Sequence, residues 1–154
     1  MSERRDIATE LRAEGRRLSG TVIAYGDVAP SWRERFEPGA LRMASAVSLN
    51  IEHDRLRAVA WTPGGGLDLE DSEEALRMVA EIPPIPAGDV ALELVRRGVA
   101  KGLSIGFHAE AERREAGLRV IERAELRTIG IVRAPAYRES RVEARSRRRL
   151  PLWL

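Results

Sequence analysis

Apolar and polar residues alternate with a period of two along much of the chain, the signature of strands with one buried face. Residues 5–13 alternate weakly. Residues 17–26 do so clearly, with Leu18, Gly20, Val22 and Ala24 on one side. The Glu14-Gly15 pair between them suits a tight hairpin turn. Residues 27–44 lose the pattern: Pro30 and the Pro38-Gly39 pair break them, which predicts a loop with short helical pieces. Strands are predicted again over 47–54 and 57–63, the second ended by Pro63-Gly64-Gly65-Gly66. Two more follow, over 67–71 and 75–82, around a turn at Asp71-Ser72. Over 86–98 the period changes. Val90, Leu92, Leu94 and Val95 form the apolar stripe of a helix that Asp89 can cap and Gly98 stops. Alternation returns over 99–112, and residues 114–117 turn the chain. Residues 118–126 and 127–135 then give two further strands, closed by Ala134-Pro135-Ala136.

Short strands with turn signals about every 8–12 residues, and one clear helix, predict a mainly β (α+β) fold. The expected architecture is a closed or nearly closed β-barrel with peripheral helices. The 154 residues fit one domain. It is placed at 1–137 and followed by an arginine-rich C-terminal tail over 138–154.

Composition changes the picture mainly by exclusion. Cysteine is absent, which removes disulfides, a cysteine nucleophile, iron–sulfur clusters and thiolate zinc sites. His53 and His108 are the only histidines, so a metal would have to rest on carboxylates, and neither metal nor cofactor is expected. The 26 basic residues nearly cancel the 24 acidic ones, and only 5% of residues are aromatic. Both facts argue against a nucleic-acid-binding barrel, despite the run Arg145, Arg147, Arg148 and Arg149. No apolar window reaches 18 residues, so no membrane span is expected. The first ten residues lack the apolar core of a secretion signal, so the chain is expected to stay in the cytoplasm where it is made.

Two segments could carry chemistry. Asn50-Ile51-Glu52-His53-Asp54 puts a histidine at a strand end, where a loop meets solvent. In Gly102-Leu103-Ser104-Ile105-Gly106-Phe107, strand alternation turns Leu103, Ile105 and Phe107 one way and Ser104, Gly106 and His108 the other. Ser104 then sits on an uncrowded face that a substrate backbone could approach. Each segment also has a plain structural reading: a satisfied histidine, and a small-residue face or glycine bulge. His108 follows Ser104 by four residues, about 13 Å along a strand. His53, arriving on another strand, is the better base for Ser104.

Taken together, the motifs resemble those of the tailed-phage prohead proteases, the capsid-maturation enzymes. Gly20 to Tyr25 resembles the family's opening strand, and Phe36-Glu37-Pro38-Gly39-Ala40-Leu41 its "f.pGaf" segment. Asn50 to Asp54 resembles the histidine motif "l.nHd", with Glu52 where asparagine is usual. Gly65-Gly66-Leu67 resembles the "GL" before a strand, and Gly98 to Phe107 the serine motif "G…glSiGF". Ile131 to Ala136 resembles the closing "lV..PA". The resemblance runs from about Leu18 to Val142. It is similar in turn to herpesvirus assemblin, which implies an assemblin-like barrel and a serine endopeptidase with Ser104 as nucleophile and His53 as base. The substrates it implies are major capsid or scaffold proteins, cut inside a procapsid where crowding could drive homodimers.

The third catalytic member departs from the pattern. The family's last barrel strand carries glutamate in "L.EvS", and Thr128 stands there in Leu126-Arg127-Thr128-Ile129-Gly130. Glu122 and Glu125 are the alternatives. By likeness to assemblin, Arg133 or backbone N–H groups near it would serve the oxyanion. The rival reading is a catalytically degenerate capsid assembly factor. The tail could tether the protein to an acidic scaffold or be a self-cleavage region, and Leu150-Pro151-Leu152-Trp153-Leu154 could pack on the barrel or on a second copy.

Overall fold

The computed structural model describes residues 2–9, 11–29 and 32–133; the expected arginine-rich tail and the closing Ala134-Pro135-Ala136 lie outside them. The chain folds into two sheets around one core. The first has the strand order β1 (Glu3–Ala8), β9 (Gly102–Glu115), β10 (Leu118–Val132), β5 (Leu41–Ile51), β6 (Asp54–Thr62), and β4 (Glu34–Phe36) also pairs with β10. The second has the order β2 (Arg12–Glu14), β3 (Arg17–Ala24), β8 (Ala75–Glu81), β7 (Leu67–Asp71). Leu49, Ile51, Leu103, Ile105, Phe107 and Ile129 of the first sheet meet Leu18, Val22, Leu67, Leu76 and Met78 of the second in a single cluster.

The alternation therefore reports strands, but the expected closed barrel does not form. Both sheets are open. At the seam between β6 and β7, Pro63 lacks an N–H and Gly64, Gly65 and Gly66 have no side chains to pack, so the ladder cannot continue. One isolated bridge, Trp61 to Gly66, crosses there.

Three local expectations also change. The breakers at 27–44 separate turns, the short strand β4 and the start of β5, and no helix forms there among the described residues. The single helix of the described residues is α1 (Pro86–Arg96), which buries Gly88, Ala91, Leu92 and Val95. Its N-cap is Ile85, with no side-chain cap. Asp89 lies in the first turn and accepts from Arg16 Nη2 at 2.8 Å. Gly98 ends the helix as expected, at φ 72°, with its N–H bonded to the Val95 carbonyl. Finally, residues 118–132 form one strand where two were expected. Arg127 is an extra residue opposite the Phe107–Gly106 step of β9, a β-bulge. Just before the bulge Ala124 and Leu126 join the core cluster, and after it Ile129 and Ile131 do. That change of parity reads as a break in the sequence while the strand runs on.

An ionic cluster joins β1, β4 and β10. Glu34, 2% exposed, accepts from Arg5 Nε at 2.7 Å, Arg5 Nη2 at 3.0 Å and Arg119 Nη1 at 2.8 Å. Trp32 stacks on the Arg5 guanidinium at 4.0 Å. Glu3 also bridges both arginines, and its hydrogen bond from Arg119 holds its carboxyl down to about 2 against the opposing effect of burial.

Candidate active site

The centre of the first sheet carries a two-by-two square of small residues. On β9 and β10, Ser104 pairs with Gly130 and Gly106 pairs with Thr128. Paired residues on adjacent strands project to the same face. The serine and the threonine therefore occupy one diagonal and the glycines the other. Leu103, Ile105 and Phe107 point the opposite way, into the core. The bulge at Arg127 makes this square: it lets Thr128 and Gly130 face outward although Leu126, two residues before Thr128, faces inward.

The His53 ring lies over the glycine diagonal. His53 Nε2 is 2.8 Å from Ser104 Oγ, and Nδ1 is 2.9 Å from Thr128 Oγ1. A Cβ at Gly130 would come within 3.0 Å of ring atoms Cδ2 and Nε2. A Cβ at Gly106 would overlap Thr128 Oγ1. Both glycines are thus needed for close approach: one makes room for the ring and the other for its partner.

A strained turn delivers the histidine. β5 ends at Ile51, β6 starts at Asp54, and these two residues pair. Glu52 and His53 are the two residues between, with φ of 53° and 62°. Two consecutive positive φ values are the pattern of a type I′ hairpin turn, for which Asn-Gly is the preferred pair. The Glu52 N–H bonds to the Ile131 carbonyl at 3.1 Å, which ties the turn down to β10. Left-handed backbone at residues other than glycine costs of order 1 kcal/mol and gathers at functional sites. Asparagine tolerates this conformation better than glutamate, and the Glu52 side chain is exposed. Glu52→Asn is therefore expected to stabilise the protein by about 0.5–1 kcal/mol. Thermal unfolding should show a rise of about 1–4 °C in Tm, with activity unchanged. A lower Tm would mean that the Glu52 side chain matters in its own right.

A comparison with models of known families matches residues 5–151 to the family described as caudovirus prohead serine protease. The chain belongs to that family. No curated protein and no solved structure matches it.

In this member of the prohead serine protease family, the two glutamate alternatives lie apart from the ring. Glu122 is ion-paired with Arg113 at 2.9 Å, and Glu125 with Arg127 at 2.7 Å. Glu125 pairs in register with His108, one row beyond the Gly106–Thr128 pair. Arg133 follows the end of β10, exposed, and makes no hydrogen bond to Ser104 or His53. It lines a cavity of about 330 Å³ with Glu52, Arg57, Val90 and Leu94. Among the described residues no three histidines or carboxylates are grouped to hold a metal, and no helix is long and apolar enough to cross a membrane.

Burial pushes the His53 imidazole below its ordinary value. The nearby Arg4 charge adds to that effect and Asp6 opposes it. Ser104 is fully buried. Asn50, beside Gly130 on β5, is also buried; its Nδ2 donates to Ser48 Oγ at 3.1 Å. Sequence reading singled out Gly106 and missed the role of Gly130. The signal was present: Ser104-Ile105-Gly106 and Thr128-Ile129-Gly130 share a spacing, and antiparallel pairing turns that repeat into the square.

Proposed function

We propose that this chain is a serine endopeptidase that removes extensions from capsid or scaffold proteins inside a procapsid. Ser104 is the nucleophile, His53 the general base, and Thr128 the group that orients the imidazole. One observation carries the reading: both nitrogens of His53 are engaged at 2.8–2.9 Å, one by a serine and the other by a hydroxyl that can hold the ring. With the proton on Nδ1 and donated to Thr128 Oγ1, Nε2 is free to accept from Ser104 Oγ–H. Ser104 then attacks the scissile carbonyl, and His53 returns the proton to the leaving amine. Arg133, or backbone N–H groups near it, is the proposed oxyanion donor once substrate fills the site. The proposed setting is the procapsid in the host cytoplasm, where crowding favours dimers and substrate capture.

The test is co-expression with the major capsid protein of the same particle. Intact-mass spectrometry of assembled particles should find that protein shortened by wild type and full-length with Ser104→Ala. Full-length protein in both, with particles formed in both, would favour the second reading: a degenerate assembly factor. Two observations favour that reading, the neutral Thr128 where the resemblance expects a carboxylate and the complete burial of Ser104.

The pH dependence follows from the base. His53 must be neutral to accept the Ser104 proton, and its folded value is lowered. The kcat/KM profile should therefore stay flat from neutral pH down past about 6.5, the ordinary histidine value, and bend only below it. A bend above that value would mean that the ring is held in its charged form.

A further inference from the structure

Thr128 can orient the imidazole but has no charge to stabilise the imidazolium formed as Ser104 gives up its proton. A carboxylate lies on the other side of the nucleophile. β1 pairs antiparallel with β9, and its Asp6 stands directly opposite Ser104. Residues so placed hold their Cβ atoms about 5 Å apart on one face. Across the face the row runs Asn50, Gly130, Ser104, Asp6, with the His53 ring over Gly130.

Asp6 is half-buried and makes no hydrogen bond or ion pair with any described residue. Its neighbours on β1 differ: Glu3 and Arg5 are locked into the ionic cluster on the opposite face. That cluster also fixes the register that sets Asp6 against Ser104. A carboxylate beside a serine–histidine pair, without a partner among the described residues, has no structural task that its contacts reveal.

We propose that Asp6 is a positioning residue that supplies, from across the nucleophile, the negative charge Thr128 lacks. Arg4, opposite Gly106 on the same face, opposes it and adds to the burial that keeps the ring neutral at rest. This inference rests on the serine-protease reading of Ser104 and His53. Among the described residues the other charges near the site are Glu52 and Asp54 of the ring's own turn and Arg133 just past β10, which shares a cavity with Glu52. Glu52 is exposed, and Asp54 is engaged by the Leu56 N–H and by Arg57. β5, β9 and β10 present uncharged residues to the ring, with His108 and the ion-paired Glu125 a row further away. The opposing influences of Asp6 and Arg4 on His53 agree with this placement.

The experiment is a proton NMR titration of His53 in the full chain, its signal being the one lost in His53→Gln. Asp6→Asn should lower the His53 pKa by about 0.5–1.5 and Arg4→Ala should raise it by a similar amount. Asp6→Glu should stay near wild type. The acid limb of kcat/KM should move with each, and Asp6→Asn should cost about tenfold in kcat/KM at neutral pH. An unchanged His53 pKa in folded Asp6→Asn and Arg4→Ala would overturn the role of Asp6. Shifted pKa values with no Ser104-dependent cleavage in any variant would keep the coupling and overturn the protease reading instead.

Discussion

Ser104→Ala is expected to lower peptidase turnover by about 10⁴-fold or more, His53→Ala by nearly as much, and the double variant no further than the worse single change. The reason is that the two residues act as one unit. The hydroxyl is a poor nucleophile without a base, and the base has no proton to take without the hydroxyl. The 2.8 Å contact between Nε2 and Oγ is the link. Single-turnover cleavage of a peptide spanning the mapped capsid junction would measure all three variants, with circular dichroism confirming the fold. Losses that multiply would mean that the residues act separately and would sink the assignment. Thr128→Val should cost far less, about 10-fold, because it removes one neutral hydrogen bond.

The second large effect concerns stability. Glu34→Ala should destabilise the protein by about 3–5 kcal/mol. Glu34 is 2% exposed and accepts from two guanidinium groups, of which Arg5 is 8% exposed. Removing it leaves the buried Arg5 charge with only Glu3 to answer it, since Glu112 pairs with Arg119, and that is more costly than never having built the cluster. Urea unfolding would read the loss directly, and Tm should fall by about 10 °C or more. Glu34→Gln keeps the shape and some hydrogen bonding, so it should lose less. A change under about 1 kcal/mol for Glu34→Ala would mean that Glu3 and Glu112 suffice to compensate the two arginines.

The strands, the helix and the outward face of Ser104 were legible because alternation and period report which side of an element is buried. Motif resemblance to prohead proteases singled out Ser104, His53 and Thr128, and the structure brings them together. What could not be read was pairing. The parity change at Arg127 looks like the end of a strand, and only the partner β9 shows that two residues oppose one. Barrel closure failed for the same reason: alternation is identical in an open and a closed sheet, and the seam is decided by Pro63 and its glycines. Asp6 carried no signal, since its place opposite Ser104 depends on a register between residues almost a hundred positions apart.

That separation has a consequence for when the protein can act. His53 meets Ser104 across 51 positions and Thr128 across 75. β10 must also slot between β9 and β5, running parallel to the latter. Non-local strand pairings of this kind are slow to form and come late. A chain still leaving the ribosome before residue 128 has the histidine and the serine but neither the strand between them nor the glycine seat for the ring. On the serine-protease reading, activity therefore cannot begin before β10 is made and folded, so an unfinished chain poses no threat to its neighbours.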